Sequence, residues 1–286
     1  MLTIHFQSTF IRSLSLLIFM SLVASQVGAE KKSKADIIEY RGGIRNSNGQ
    51  YRLEPKYLNL LLASLQEKTG FSELSMDSSD YLVIGNKEAF VGGSSAARKL
   101  LIAAIEGLIL FNLENHNGSG KVSFARLGMS TIFRSIVTKK EVDVRPLILD
   151  FSDYAHLSGE REICHSFDIG INLLHELAHG VYQLRDAVEG MNELGACENF
   201  VNTIRRDLNL PERERYIARV RKSVTVQGQT TLQAELQFSR SKEKNGKLKT
   251  ETLLLSWDTG KVGFVSADAR LSAAKAASLK ATIALR

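Results

Sequence analysis

The chain has 286 residues, a formal net charge of +6 and 44% hydrophobic residues, which is enough apolar material for one substantial core or a core plus a small lobe. No internal repeat is visible, which argues against a repeat architecture. The basic residues lie among acidic and apolar ones without aromatic interleaving, a pattern typical of a solvated surface, so we expect no nucleic-acid partner.

Residues 1–29 have the pattern of a signal peptide. Arg12 is the only charged side chain, residues 13–25 are mostly apolar, and Val27-Gly28-Ala29 fits a small-residue cleavage site. The apolar stretch is shorter than the roughly 20 residues of a membrane-spanning helix, although an uncleaved anchor is the alternative. We therefore expect bacterial export to the periplasm or the medium, with no stable membrane anchor after cleavage.

The remainder is expected to form a polar lead-in over 30–53, one catalytic domain over 54–266 and an alanine-rich tail over 267–286. Periodicity and turn residues predict several elements in the first half of that domain. They are a helix over 54–69, a hairpin over 74–85, a helix over 94–107, a hairpin over 109–127 and a strand over 145–151.

Ser166–Leu184, with the sequence SFDIGINLLHELAHGVYQL, is predicted to be an amphipathic helix capped by Ser166. His175 and His179 are four residues apart, so both imidazoles can reach one ion from the same helix face. Glu176 lies to one side, where it can take a proton from a metal-bound water. The pattern H-E-x-x-H therefore predicts a metal site, with Zn²⁺ as the ion.

A zinc site needs a third protein ligand, and three carboxylates are within reach in sequence. Tyr182 and Arg185 stand where a metzincin needs Gly and His, so that class is excluded. The remaining candidates are Glu198, which we favour, and Glu193 and Asp186 as alternatives.

Residues 192–208, NELGACENFVNTIRRDL, resemble the second helix of the thermolysin-like gluzincins, where a Glu about twenty residues after the second His completes the site. Glu198 lies 19 residues after His179 and matches that Glu. In that family an Asp four residues later orients a zinc histidine, and Asn202 occupies its place here. LRD after the first helix and LPERERY after the second are also similar to uncharacterised secreted bacterial proteins that carry HExxH.

The resemblance implies a zincin-like α+β fold, in which a mixed sheet precedes the HExxH helix and the Glu-bearing helix. Leu147–Phe151 is the candidate edge strand for holding an extended peptide. After the Glu-bearing helix, alternation over 230–258 predicts a C-terminal β-hairpin.

The predicted function is zinc-dependent hydrolysis of a peptide or protein substrate, with Glu176 as general base. The family's oxyanion-stabilising His has no counterpart, because no His follows His179. Tyr216 and Tyr182 are the candidates for that role. The alternative is a catalytically silent secreted protein that keeps zinc for structure and binds a partner.

Cys164 and Cys197 are the only cysteines; Cys164 lies two residues before the HExxH helix, and Cys197 immediately precedes Glu198 on the second helix. Because export exposes them to an oxidising compartment, a disulfide between them is expected, with two buried thiols or metal-binding thiolates as alternatives.

Overall fold

The computed structural model describes residues 41–120, 122–134, 139–187, 193–224, 230–244 and 247–263. Its helices are α1 (Pro55–Thr69), α2 (Ser95–Glu106), α3 (Phe151–Tyr154), α4 (Arg161–His165), α5 (Ile169–Tyr182) and α6 (Ala196–Asp207), with a 3-10 turn at Gly49–Tyr51. The expected α+β class is confirmed at this level. The predicted signal peptide and alanine-rich tail lie outside the described residues.

The strands form a mixed sheet, a second sheet near the C-terminus and a small hairpin. They are β1 (Gly43–Asn46), β2 (Leu74–Met76), β3 (Leu82–Ile84), β4 (Ile109–Asn115), β5 (Ala125–Leu127), β6 (Thr131–Arg134), β7 (Glu141–Leu149), β8 (Glu212–Arg213), β9 (Arg219–Val224), β10 (Thr230–Lys244) and β11 (Lys247–Asp258). None of the helices in these ranges has the length and apolarity of a membrane crossing.

The mixed sheet has the order β1-β4-β7-β5, and β6 pairs with β7 beside β5. β1 and β7 are parallel to β4, whereas β5 and β6 are antiparallel to β7. The prediction that Leu147–Phe151 forms the edge strand is wrong, because β7 has partners on both sides. The hairpin predicted over 109–127 is also wrong, since β4 and β5 lie on opposite sides of β7.

The start of the described chain belongs to the core. All four residues of β1 are buried, and Leu53 is 1% exposed. The lead-in predicted over 30–53 is therefore wrong from Gly43 onward, because β1 completes the parallel part of the sheet. The hairpin predicted over 74–85 is confirmed by β2 and β3.

Helix α5 lies at the centre of the larger core and contacts α1, α2, α6 and β5. Its cap is Asp168, whose carboxylate accepts the N–H of Ile171 at 3.0 Å, and not Ser166 as predicted. Ser166 instead donates its hydroxyl to the Glu162 carbonyl and ends α4. The helix begins three residues later than its sequence signal, and its cap Asp168 also pairs with the buried Lys68 at 2.8 Å.

A second cluster of buried residues is formed by side chains of β10 and β11 and by residues that pack against them. These strands form a sheet with β8 and β9. The hairpin predicted over 230–258 is confirmed by the antiparallel register of β10 and β11. Phe167, just before α5, packs edge-on against Phe124 and joins this sheet to the start of α5. The two cores therefore meet at the N-terminal end of α5.

Gly180 allows α5 to lie close to the mixed sheet. A Cβ at this position would come within 2.4 Å of the Phe111 ring on β4 and 3.6 Å of Leu127 on β5. Phe111 is buried and cannot easily move. The absence of a side chain at Gly180 thus determines how near the HExxH turn comes to β5.

We predict that Gly180→Ala lowers the free energy of unfolding by about 1–3 kcal/mol, because overpacking outweighs the gain in helix propensity. Urea denaturation measures this loss. Phe111→Leu should relieve the contact, so the double variant should lose less than the two single losses together. Gly→Ala usually stabilises a helix at an exposed position. An increase in stability for Gly180→Ala alone would therefore contradict this packing.

Candidate metal centre

His175 and His179 lie on consecutive turns of α5 and point the same ring nitrogen at one place. Their Nε2 atoms are 3.0 Å apart, and the ring planes are nearly perpendicular. His175 is 8% exposed, because the apolar face of the helix packs into the larger core around it. The predicted convergence of the two imidazoles is therefore present in the folded chain.

The other ring nitrogen of each histidine has a partner that fixes its orientation. His179 Nδ1 lies 2.6 Å from the Leu184 carbonyl, which the left-handed residue Gln183 turns back toward the ring. His175 Nδ1 lies 3.3 Å from Oε2 of Glu198. Both acceptors favour a proton on Nδ1 and leave the Nε2 lone pairs facing each other, an arrangement that a cation between them would stabilise.

Asp186 supplies the carboxylate at this point. Its Oδ1 lies 3.2 Å from His175 Nε2, and its Oδ2 lies 3.3 Å from His179 Nε2. The segment carrying it follows α5 directly, and the Arg185 carbonyl accepts the N–H of Cys197 at 3.0 Å. This contact holds the loop after α5 against the start of α6.

The separations among these donors fit a tetrahedral ion. Ligand bonds of about 2.0–2.1 Å at tetrahedral angles place donor atoms about 3.3 Å apart. The Oδ1 atom of Asp186 is buried and lacks a partner in hydrogen-bonding geometry, although His175 is near. A buried, unsatisfied carboxylate oxygen beside two converging imidazoles is what a cation site requires.

Cys197 is the fourth potential ligand. Ligand atoms of His175, His179, Asp186 and Cys197 all lie within 4.8 Å of one another, and this group could hold a metal ion. The predicted disulfide with Cys164 is wrong in this structure, where both cysteines are free. The Cys197 thiol donates to the His175 carbonyl at 3.3 Å, whereas the Cys164 thiol contacts the Gly159 carbonyl at 3.9 Å.

Glu198 lies on the far side of His175 from this position, so the prediction that it is the third ligand is wrong. It is fully buried, and Oε1 accepts from Arg205 while Oε2 lies 3.0 Å from Arg213. Burial would raise the pKa of Glu198, but the two guanidinium groups and His175 hold it well below the usual value. Glu198 is thus an anion that orients His175. The other alternative, Glu193, is exposed.

Asn202 does not contact a histidine, so its predicted role is also wrong. Its amide donates to the Arg213 carbonyl at 2.8 Å and its oxygen accepts the Arg213 N–H at 2.9 Å. The same oxygen accepts from Arg205 at 2.8 Å. Asn202 therefore positions the two arginines that neutralise Glu198. It acts on His175 only through these arginines and Glu198.

Glu176 lies in a cleft of about 560 Å³ that is also lined by β5, His179, Asp186 and Tyr216. Its Oε2 accepts the N–H of Leu127 at 2.7 Å, which ties α5 to the edge of the sheet. Burial raises the pKa of Glu176, and the nearby histidines partly offset that rise. The carboxylate is therefore a stronger base than an exposed one.

The two tyrosines proposed for oxyanion stabilisation lie in different places. Tyr216 lines the cleft, its hydroxyl hydrogen bonds to Asp186, and its ring is stacked 6.2 Å from His175. Burial and the Asp186 carboxylate raise the pKa of Tyr216, so the hydroxyl keeps its proton. Tyr182 is 40% exposed and packs edge-on against Phe200, outside the residues that line the cleft.

The centre has an electrostatic preference for positive charge. Burial opposes protonation of His179, but Asp186, Cys197 and the Leu184 carbonyl together outweigh it and raise the pKa of His179 to about 10. Burial would raise the pKa of Asp186, but the two adjacent imidazoles and the Tyr216 hydroxyl lower it. A metal ion would compete with protons for this place.

Comparisons with protein-family models, curated proteins and solved structures found no match for this chain.

Sequence reasoning found the helix and the two histidines but ranked the carboxylates in the wrong order. Asp186 had a signal, since it lies seven residues after His179 and can return to the ion by a short loop. Leu127 had none, because a single backbone N–H cannot be read from side-chain patterns. The pair of arginines around Glu198 was equally hidden, as Arg213 lies 15 residues away in sequence.

We predict that Glu198→Gln lowers the free energy of unfolding by about 3–5 kcal/mol, since it leaves the buried Arg205 and the half-buried Arg213 without their anion. The exposed control Glu212→Gln, which loses a surface pair with Arg206, should cost less than about 1 kcal/mol. Because the native pKa of Glu198 is depressed, its contribution should be present above the unfolded pKa of about 4.3. It should shrink as the pH falls below that value. Equal losses for both variants in urea denaturation would refute this role.

We predict that Asp186→Ala reduces metal affinity by at least about tenfold, the lower bound seen even for outer contacts of metal sites. Competition with a chromogenic chelator measures the affinity. Glu193→Ala is the matched control, because its exposed carboxylate lies only seven residues further along the chain. If Glu193→Ala loses affinity while Asp186→Ala retains it, the assignment of the third ligand is overturned.

Proposed function

We propose that this chain is an exported zinc-dependent peptidase, similar in its metal-binding helix to the thermolysin-like zincins. The observation that carries the proposal is the convergence of His175, His179 and Asp186 beside the Glu176 carboxylate in an open cleft. A metal-binding triad next to a buried base is the arrangement that metal-assisted hydrolysis requires.

The proposed ligands are His175, His179 and Asp186, a set of two imidazoles and one carboxylate that suits Zn²⁺. When bound, zinc would polarise a scissile carbonyl and lower the pKa of a water toward about 7. The chain's own contribution is to orient the donors through the Leu184 carbonyl and the Glu198 carboxylate.

Glu176 is the proposed general base. One of its oxygens is held by the Leu127 N–H, so the carboxyl group has a defined orientation at the cleft wall. It would take a proton from the attacking water and deliver it to the leaving amine. Its raised pKa favours the first step, because burial makes the carboxylate a stronger base toward the attacking water.

Tyr216 is the proposed donor to the developing oxyanion. Its hydroxyl remains protonated, lies in the cleft and is oriented by Asp186. Arg213 supports this position, since its guanidinium lies 4.9 Å from the centre of the Tyr216 ring and donates to the Tyr216 carbonyl. A neutral donor held in place stabilises charge that forms only in the transition state.

An extended peptide is the proposed substrate. Ala125, Arg126 and Leu127 of β5 line the cleft, and β5 pairs with β7 along its other side. A peptide lying beside β5 could use main-chain hydrogen bonds, as in other cases of strand addition. This replaces Leu147–Phe151, of which only residues 147–149 form a strand, and that part of β7 lies in the interior of the sheet.

A second candidate function is a secreted binding protein in which zinc is structural. Cys197 favours it, because two histidines, an aspartate and a cysteine form a complete tetrahedral set of protein ligands. Structural zinc sites are closed in this way, whereas catalytic sites keep one position open.

We predict that Glu176→Gln keeps stoichiometric zinc and lowers peptide cleavage by about 10²–10⁴-fold, because the base is removed while the ligands remain. Mass spectrometry of a peptide library, with metal content measured on the same samples, checks both quantities. His179→Ala should lose the metal as well as the activity. Identical behaviour of Glu176→Gln and the wild-type protein in cleavage would favour the structural-zinc candidate.

A further inference from the structure

Cys197 is placed near the two histidines and Asp186 by one backbone hydrogen bond and by a close approach of the chain. Its N–H donates to the Arg185 carbonyl at 3.0 Å, one residue before the ligand Asp186. Gly195 packs against the same loop so closely that a Cβ there would lie 2.1 Å from the Asp186 carbonyl carbon. The start of α6 is therefore in contact with the loop that carries the third ligand.

The surroundings of the Cys197 sulfur suit a thiolate ligand. Cys197 is 0% exposed and is the second residue of α6, a twelve-residue helix whose N-terminal dipole favours negative charge. Its sulfur lies within 4.8 Å of the ligand atoms of both histidines and Asp186. Thiolate is a strong ligand for zinc and other borderline or soft ions.

We propose that the Cys197 sulfur is a fourth protein ligand, which closes the coordination sphere in the resting protein. This rests on the metal site of the proposed function. The thiol proton, now directed at the His175 carbonyl, would be released as the metal–sulfur bond forms. Water or substrate would then reach the metal only by displacing the thiolate, so the resting site is latent.

Cobalt substitution tests the ligand directly, without use of catalytic activity. A thiolate bound to Co²⁺ gives an intense charge-transfer absorption in the near ultraviolet, whereas imidazole and carboxylate ligands do not. The metal-free, fully reduced full-length protein is titrated with Co²⁺, and absorption and bound metal are recorded together. We expect one Co²⁺ per chain and a thiolate band in the wild-type protein.

Cys164→Ser is the matched control, because Cys164 is the other free cysteine and lies outside the metal-binding group. We expect the band to persist in Cys164→Ser and to disappear in Cys197→Ser, with metal affinity at least about tenfold weaker in the latter. Far-ultraviolet circular dichroism establishes whether Cys197→Ser folds. If it does not, Cys197→Ala and the wild-type spectrum provide the test.

Stoichiometric Co²⁺ without a thiolate band in the wild-type protein would overturn the proposal and leave the three-ligand site of the proposed function intact. A band that persists in Cys197→Ser and is lost in Cys164→Ser would also overturn it. Failure of the wild-type protein to bind Co²⁺ or Zn²⁺ would refute both the proposed function and the fourth ligand.

Discussion

Glu198 is a fully buried carboxylate, and a charge in that position is stable only if opposite charges and hydrogen-bond donors surround it. Arg205 from the same helix and Arg213 from β8 meet this requirement, and His175 is the third neighbour. The cluster therefore links α6, the C-terminal sheet and α5. It also gives His175 the anionic partner that leaves its other nitrogen available to a metal.

The site is assembled between the two cores. The larger core positions α5 against the mixed sheet, with Gly180 allowing the close approach to Phe111. The smaller core holds β8 and the segment that carries Tyr216. Arg213 belongs to that segment and reaches Glu198, so the position of the tyrosine and the orientation of the histidine depend on the same guanidinium.

Two readings of the metal centre differ in one ligand. His175, His179 and Asp186 alone would leave a fourth position for water, whereas Cys197 would fill it. The positions of Glu176 and Tyr216 help to distinguish an open site from a closed one. Glu176 is oriented at the cleft and Tyr216 lines it, although neither would be needed to hold a structural ion. The proposed displaceable thiolate is compatible with both the four-residue ligand set and the position of Glu176 and Tyr216 at the cleft.

The sequence by itself determined the helix that carries HExxH, because its signals are local: a four-residue spacing of histidines and an apolar stripe. It likewise determined the hairpins at 74–85 and 230–258, whose strands are adjacent in the chain. Only the tertiary structure decided which carboxylate faces the Nε2 atoms of the two histidines, since Asp186 and Glu198 have the same chemistry and both can be reached from α5. Asp186 takes this position because its loop packs against Gly195, whereas Glu198 is bound by Arg205 and Arg213 on the other side of His175. The strand order also depends on the tertiary structure, because the neighbours of β7 are joined to it by backbone hydrogen bonds, which side-chain patterns do not predict.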